Sequence, residues 1–435
     1  MNQARILLLD ADYRANHYES IREILTAEWL APPWPSKGRQ AVAWHDEDVF
    51  PPPWLAIDAL PAERIDLVMV TSEWPPHIGA TIAEYIRAGV PVLQLADGIV
   101  EWRQIWENPG MWSSAPLYQP ILAHKLACLG RAQARVLESW GNVGKCEVAG
   151  SPRFDRLLGR KPRSKKPGAP FRILICTAQT PGFTEEQHRS LCNGLSELKT
   201  WIDENRHLGV EPVWRLASGM DAVLGVKVNK EPGSLADTLE HIDAVITTPS
   251  TVLLEGMLQG VPVVALDYTN SPQYVRAAWV ISAPDHIEPV LRDLFTPAST
   301  RMLFQDFVLH DELECRSPAA PRVARLANEM ISRGRFCRAQ GTALDLPPKI
   351  LTDPQRGVHL PEERYDLHSL YPKRSTVDTD ITALQSEVLQ LRRLLQIERD
   401  RFRRWAHWRT GNQILVGVRA AARSLLRKLT RESPS

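Results

Sequence analysis

Short apolar runs alternate with amphipathic stretches along most of this chain, up to about residue 335. The apolar runs are rich in Val, Ile and Leu, which is typical of strands buried on both faces of a sheet. The stretches between them repeat apolar residues every three or four positions, which predicts helices with one buried face. Strands and helices that alternate in this way indicate an α/β protein with parallel sheets.

The first set of elements ends near residue 158. Predicted strands cover 5–10, 65–72, 90–97, 125–130 and 145–151. Predicted helices cover 15–29, 78–89 and 131–141. The segment 159–170 that follows is basic and rich in Pro and Gly, which is the composition of an exposed linker.

The same alternation restarts after the linker. Predicted strands cover 171–178, 210–217, 244–246 and 261–266. Predicted helices cover 184–204, 252–259 and 320–334, and we expect the last of these to close the second half. The pattern therefore predicts two Rossmann-like domains, 1–158 and 171–334, that face each other across a cleft.

Different patterns follow toward the C-terminus. Residues 335–379 are Pro-rich and weakly periodic, so we expect an irregular extension. From 380 to 408, apolar residues alternate between three- and four-residue spacings, which predicts a short coiled coil and a homo-oligomer. Residues 411–432 place Leu, Ile and Val on one helical face and Arg and Lys on the rest. This basic amphipathic helix suits an anionic membrane surface, and it also fits a helix docked on the protein's own body.

Composition narrows the class of protein. Hydrophobic residues make up 44% of the 435 residues and charged residues 24%, as in soluble globular proteins. The net charge of +1 gives no overall attraction to nucleic acid, so we expect no nucleic-acid partner. The six cysteines are scattered without a CxxC pair, which argues against disulfides and structural zinc. Since the N-terminus also lacks the pattern of a signal peptide, we expect a cytoplasmic protein, peripheral at the inner face of the membrane.

The turn TTPST (247–251) joins a predicted strand to a predicted helix in the second half. Amides at the start of a helix have no partner within it, and Ser and Thr add hydroxyl donors without bulk. Thr248, Ser250 and Thr251 therefore form a candidate phosphate site. Glu255, one turn into the helix, is placed to accept from a ribose hydroxyl. The same turn also fits an ordinary helix cap.

Acidic residues follow two strand ends in the first half. The third predicted strand ends at Asp97-Gly98, where a parallel sheet places side chains in the cleft. We expect Asp97 to act as the base that removes a proton from an acceptor hydroxyl, with Glu101 and Arg103 beside it. Asp10, at the end of the first strand, is the second candidate. The alternatives are a turn-forming Asp-Gly and a helix-capping Asp10.

Further polar residues end the second predicted strand. Glu73 and His77 follow it, so we expect them on the acceptor side of the cleft, although a buried, hydrogen-bonded His is a common alternative. No cluster of metal-ligand residues is visible in the sequence. We interpret the DxD of Asp10 and Asp12 as coincidental and expect no metal.

Three motifs resemble a known family in their order and spacing. DAVITTPSTVLLEGMLQGVPVVALDY (243–268) resembles the donor-side motif of GT-B glycosyltransferases and of their sugar-epimerase and polyol-phosphate-transferase relatives. VAGSPRFDRL (148–157) is similar to the end of their first domain, and ILICTAQTPG (173–182) to the start of their second. The resemblance implies a GT-B-like fold with a sugar nucleotide held mainly by the second domain. It also implies that Arg153 and Lys227 meet the donor phosphates.

The pattern and the resemblance together predict a glycosyltransferase. It would move a sugar from a nucleotide-sugar donor to a surface-polysaccharide or lipid-linked glycan acceptor of the cell envelope. The nucleotide sugar is a substrate, and no cofactor is expected. A CDP-polyol phosphotransferase and a sugar-nucleotide epimerase are alternatives, because they share the second-half motif. An alternative of another class is a catalytically inactive GT-B-like membrane scaffold.

Deleting residues 411–435 should release the protein from anionic liposomes, because the deletion removes both the apolar face and the basic residues of the amphipathic segment. Cosedimentation with vesicles that contain phosphatidylglycerol measures this, and vesicles of phosphatidylcholine alone are the control. Binding that survives the deletion would contradict the membrane role of this segment.

Overall fold

Buried apolar strands from the N-terminal part of the chain build a first parallel sheet. The computed structural model describes residues 3–31, 60–108, 117–160, 168–217, 219–228, 235–354, 361–371 and 391. The strands are β1 (Ala4–Leu8), β2 (Ala27–Leu30), β3 (Leu67–Val70), β4 (Val92–Leu95), β5 (Lys125–Cys128) and β6 (Cys146–Val148). Their order across the sheet is β2-β1-β3-β4-β5-β6, with every neighbouring pair parallel.

A second parallel sheet follows the linker. Its strands are β7 (Phe171–Cys176), β8 (Val210–Arg215), β9 (Ala244–Thr247), β10 (Val263–Leu266) and β11 (Trp279–Ile281). Their order is β11-β10-β9-β7-β8. The predicted α/β class with two parallel sheets is confirmed, and both sheets lie in one compact unit that ends at Tyr371.

Helices connect successive strands and cover the sheets. They are α1 (Ala11–Ile24), α2 (Pro76–Arg87), α3 (Trp102–Trp106), α4 (Arg131–Leu137), α5 (Glu185–Glu204), α6 (Met220–Leu224), α7 (Leu235–Leu239), α8 (Val252–Leu258), α9 (Ile287–Leu294), α10 (Ser299–Glu312) and α11 (Ala319–Gln340). Short 3-10 turns cover Ala62–Arg64, Pro152–Leu157, Arg206–Leu208, Pro284–His286 and Glu362–Tyr365, and a π-helical turn covers Glu138–Asn142.

The alternation of side chains along β1 shows how the first sheet is buried on both faces. Leu7 packs with the buried face of α2, which includes Ile78 and Ile82. Ile6 and Leu8 point to the opposite face and pack against α1 and α11. A strand covered on both faces needs a continuous apolar run, as this one has.

The helix predicted over 15–29 is wrong at its C-terminal end. Helix α1 ends at Ile24, and Ala27–Leu30 forms the edge strand β2. This segment pairs in parallel with β1, from Ala4 opposite Ala27 to Leu7 opposite Leu30. The hydrogen bonds of that ladder outweigh the helical spacing of its apolar residues, which is a weak local preference.

Helix α11 was expected to close the second half, and this prediction is wrong. Its buried face, including Val323, Ala327 and Met330, packs into the core of the first sheet. Small residues let the helix approach closely: a Cβ on Gly334 would lie 2.9 Å from the ring of Pro91. The predicted boundary at 334 therefore cuts through a helix that belongs to the first core.

The extension after α11 is irregular but firmly attached. Lys125 Nζ donates to Glu147 and to the Pro348 carbonyl, each within 2.9 Å, in a buried cluster under β5 and β6. Glu147 also accepts the backbone N–H groups of Ile350 and Leu351. Farther along, the Tyr371 hydroxyl accepts the N–H of Val280 on β11. The extension thus contacts both halves.

Several predictions concern residues outside the described ranges. They are the coiled coil at 380–408 except residue 391, the basic amphipathic helix at 411–432 and much of the linker at 159–170. Within the described ranges, no helix combines the length and apolar character that crossing a membrane requires.

Candidate active site

The loop after β4 meets the turn before α8 where the two halves come together. A Cβ added to Gly98 would lie only 2.5 Å from Thr251 Oγ1, well inside van der Waals contact. A residue with any side chain would therefore force the Thr251 side chain or the loop to shift. Glycine at this position lets the loop that carries Asp97 lie directly against the Ser/Thr turn of the second half.

Arg153 joins the same two elements. It lies in the 3-10 turn Pro152–Leu157, and its Nη1 donates to the Asp97 carbonyl at 3.2 Å. Its Nη2 donates to Glu255 Oε1 at 2.7 Å. The guanidinium also lies over the ring of Phe154, 4.8 Å from its centroid. One side chain therefore contacts the loop after β4 and helix α8 at once.

Glu255 has one oxygen at this junction without a hydrogen-bond partner among the described residues. Its side chain is 10% exposed, and Oε1 is taken by Arg153. Oε2 is buried and has no hydrogen-bond partner among the described residues. A buried carboxylate oxygen without a donor is costly, so a ligand hydroxyl that reaches it gains a favourable hydrogen bond.

The Ser/Thr turn divides its hydroxyls between internal contacts and the junction. Thr248 is fully buried, and its Oγ1 accepts the Ala178 N–H at 2.8 Å. Ser250 Oγ accepts the Val252 N–H at 3.3 Å. Thr251 Oγ1 faces Gly98. Thr248 was predicted to bind donor phosphate, but its contacts join the ends of β9 and β7.

Asp10 joins two strand ends of the first sheet, as Thr248 does in the second. Its carboxylate is 3% exposed and accepts from the Tyr18 hydroxyl, from the N–H and hydroxyl of Thr71, and from the Ser72 N–H. These donors saturate the carboxylate and join the ends of β1 and β3. Asp10, the second candidate for the base, thus uses both of its carboxylate oxygens in internal hydrogen bonds.

Glu73 is also held by the backbone rather than presented to an acceptor. Its two oxygens accept the N–H groups of Leu122 and Ala123 at 2.8 and 3.1 Å. Burial raises the pKa of Glu73, while the two amides and the Lys145 ammonium lower it. The predicted acceptor-side residue thus fixes the loop that precedes β5.

Asp97 is paired with a histidine, His17, that was not among the predicted site residues. His17 on α1 is 1% exposed, and its Nε2 lies 3.2 Å from Asp97 Oδ1. The Asp97 side chain keeps 20% of its surface exposed. His17 lies seven residues after Asp10, the acid that follows β1. Asp97 follows a different strand, β4, so no spacing in the sequence linked His17 to it.

Glu101 and Arg103 form a buried ion pair at α3. Arg103 Nε donates to Glu101 Oε1 at 2.7 Å, and Nη1 donates to the Pro181 carbonyl of the second half at 3.1 Å. Burial raises the pKa of Glu101 to about 7, with Arg103 lowering it and the carboxylates of Asp267 and Glu107 raising it. The predicted neighbours of Asp97 are therefore part of the contact between the halves.

Glu107 is a second polar contact between the halves. It accepts from Trp102 Nε1 within the first half. From the second half it accepts from Gln187 Nε2 at 2.7 Å and from the Ser271 hydroxyl at 3.1 Å. Glu107 was not predicted, because an acid at the end of a short helix has no local sequence pattern that indicates such a role.

Trp102 and Trp106, which follow Asp97 in the chain, pack against other aromatic side chains of the protein. Trp106 Nε1 donates to the Tyr274 hydroxyl at 3.3 Å, and the Trp102 and Tyr274 ring centroids are 6.1 Å apart. Trp140 also contacts both Trp106 and Tyr274. These rings are packed between the two halves, as core aromatic residues usually are.

Two further predicted site residues are Lys227 and His77. Lys227 lies between α6 and α7 and is exposed. His77 lies in the first turn of α2, and its side chain is outside the described part of the structure. Among described side chains, no group of three or more His, Cys, Asp or Glu residues is arranged to hold a metal ion.

Comparison with known proteins identifies the fold. Neither a protein-family model nor a curated protein sequence matches the chain. The structure of S. aureus MnaA with UDP is similar, with a TM-score of 0.50 and 11% identity over 82% of this chain and 100% of that one. A UDP-GlcNAc 2-epimerase from Methanocaldococcus jannaschii gives 0.49, with 12% identity over 75% and 99%. The kitacinnamycin glycotransferase gives 0.45, with 15% identity over 76% and 100%.

The chain has the GT-B-like fold. The match to MnaA covers 82% of this chain and the whole of that protein, and this chain has an α/β architecture with two parallel sheets. The resemblance read from the three motifs is therefore confirmed at the level of the fold.

Replacing Gly98 by Ala should destabilise the protein by about 1–3 kcal/mol, the usual cost of adding an atom to a filled contact. Because the clash is with Thr251 Oγ1, the same substitution in a Thr251→Ala background should cost less. Urea unfolding of the two single variants and the double variant measures this. Equal costs in both backgrounds would contradict the close contact.

Glu101 should make stability depend on pH. Its folded-state pKa of about 7 exceeds the ordinary value of 4.5, so the folded state binds the proton more tightly. The free energy of unfolding should therefore fall as pH rises between these two values and level off above pH 7. Glu101→Gln keeps an acceptor for Arg103 and removes the titration, so it should lack this fall. Parallel stability curves for the two proteins from pH 4.5 to 8 would contradict the assignment.

Proposed function

We propose that the protein is a glycosyltransferase that moves a sugar from a nucleotide-sugar donor to a hydroxyl acceptor. The observation that carries the proposal is the Arg153 contact, which joins the Asp97 loop to Glu255 beside the Ser/Thr turn. A candidate base, a cation and a partly unsatisfied carboxylate thus meet where the strand ends of both sheets converge. Transfer of a sugar from donor to acceptor requires a base and phosphate-binding groups close together.

The donor is proposed to bind on the side of the second half. Glu255 Oε2, which has no partner among the described residues, is suited to accept from a ribose hydroxyl. Arg153 is suited to donate to the donor phosphates in a forked geometry. Ser250 and Thr251 supply hydroxyls beside it. Lys227, which is exposed, stays a proposed phosphate contact.

The chemical step is proposed to use Asp97 as the base. The acceptor oxygen forms a bond to the anomeric carbon, and the bond from that carbon to the phosphate oxygen breaks with its electron pair on the nucleotide. The acceptor proton passes to the Asp97 carboxylate. Positioned general-base catalysis of this kind contributes about 10²- to 10⁴-fold to the rate.

The acceptor is proposed to be a surface polysaccharide or a lipid-linked glycan. Its support is the basic amphipathic pattern at 411–432, which suits work at an anionic cytoplasmic membrane surface. A coiled coil at 380–408 would bring copies of the chain together there. An enzyme whose substrates are both soluble has no need of such a segment.

Thermal unfolding with a panel of UDP-, GDP-, CDP-, CMP- and dTDP-linked sugars tests the donor site, because a ligand of the folded state raises the melting temperature. At least one should stabilise the wild type, and Arg153→Gln should remove most of that shift. Arg292→Gln is the matched control, since it also breaks an Arg–Glu pair but lies on the exposed face of α9. If no member of the panel stabilises the protein, a scaffold without a donor site is favoured.

Nucleotide release from the stabilising donor, with water as acceptor, tests the base. Asp97→Asn should lower kcat by about 10²-fold or more while leaving the thermal shift intact. Proton NMR of the products separates the alternatives. A second sugar nucleotide without net release would indicate an epimerase, and CMP released from CDP-glycerol would indicate a polyol-phosphate transferase.

A further inference from the structure

His17 occupies an unusual position for a buried histidine. It is 1% exposed, and neither ring nitrogen has a hydrogen bond among the described residues. Its Nε2 nevertheless lies 3.2 Å from Asp97 Oδ1, which is close enough for an ion pair, but the angle at this contact is not that of a hydrogen bond. A buried polar ring without hydrogen bonds costs folding free energy, so a functional reason for the ring is worth seeking.

The neighbours of His17 hold it on a rigid element. Tyr18, the next residue of α1, is 1% exposed and its hydroxyl donates to Asp10. Ile21, one turn along the helix, is fully buried in the core of the first sheet. The imidazole therefore has a fixed position beside the loop that carries Asp97, which suits a residue that aligns another.

Exposure separates the roles of the two side chains. The Asp97 side chain keeps 20% of its surface accessible, whereas His17 keeps 1%. A substrate hydroxyl can therefore reach Asp97 but not His17. Arg153 donates to the Asp97 backbone carbonyl at 3.2 Å. The loop is thus held through its main chain by one residue and approached at its carboxylate by another.

We infer that His17 is a positioning residue for Asp97, with the proton on Nε2 directed at the carboxylate. The inference rests on the proposed function, in which Asp97 is the base. Hydrogen bonds in catalytic sites are often long or poorly aligned without substrate and tighten in the complex, as this contact requires. Once aligned, the Nε2–H hydrogen bond holds one carboxylate oxygen in place. It thereby fixes the direction of the other oxygen, which takes the acceptor proton.

A matched pair of substitutions tests this. The side-chain amide nitrogen of Gln reaches the position of His Nε2, whereas that of Asn reaches only the position of Nδ1. His17→Asn should lower kcat for donor hydrolysis by about 10- to 100-fold, the cost of a misplaced catalytic group, and KM should hardly change. His17→Gln should recover most of that loss. Thermal unfolding shows whether both variants are equally folded.

Equal loss in the two variants, or a loss confined to KM, would overturn the inference, because a packing role does not distinguish the two amides. Unchanged kcat in both would overturn it as well. If Asp97→Asn still hydrolyses the donor, the base of the proposed function fails, which is a separate result.

A second measurement does not depend on activity. A double-mutant cycle of His17→Asn and Asp97→Asn in urea measures the coupling of the two side chains in the free protein. Non-additive effects on the free energy of unfolding support the pairing. Additive effects overturn it. This result holds whatever reaction the protein catalyses, because the measurement uses stability and not activity.

Discussion

The Arg153 guanidinium connects the two halves at the point where their strand ends converge. It donates to a main-chain carbonyl of one half and to a carboxylate of the other. A planar fork can hold two acceptors at a fixed separation, which a lysine ammonium on a flexible stem cannot do. The register between the Asp97 loop and α8 therefore depends on this one side chain, together with a glycine that leaves room for the contact.

Other contacts reinforce that register in a consistent way. Glu107 and Arg103 reach from the short helix α3 and its C-terminal end to main-chain and side-chain groups of the second half. The extension after α11 is anchored on Glu147 beneath the first sheet and on Val280 at the edge of the second. The hydrogen bonds among these contacts depend on the relative direction of donor and acceptor, whereas apolar faces can slide past each other. These contacts therefore hold the two halves in a fixed relative position.

The sequence was sufficient for most of the strands and for several residues that meet at the junction of the halves, but it was less informative about the partners of each residue. Asp97, Arg153, Thr251 and Glu255 were chosen from strand ends and motifs, and the structure brings them together. Asp10 and Thr248 were chosen by the same rule, yet each joins two neighbouring strands. A polar residue at a strand end serves either purpose, and its burial decides which. His17 was missed because its partner is 80 residues away in the chain.

The return of α11 to the first core has a practical meaning for anyone who wishes to study the halves separately. A fragment cut at the linker would leave the first sheet without the helix that covers one of its faces. The complementary fragment would carry that helix with its Ala, Val and Leu side chains facing water, which favours aggregation. The two halves are therefore not independent modules. A stable first half has to include residues from before the linker and from α11, joined by a new connection.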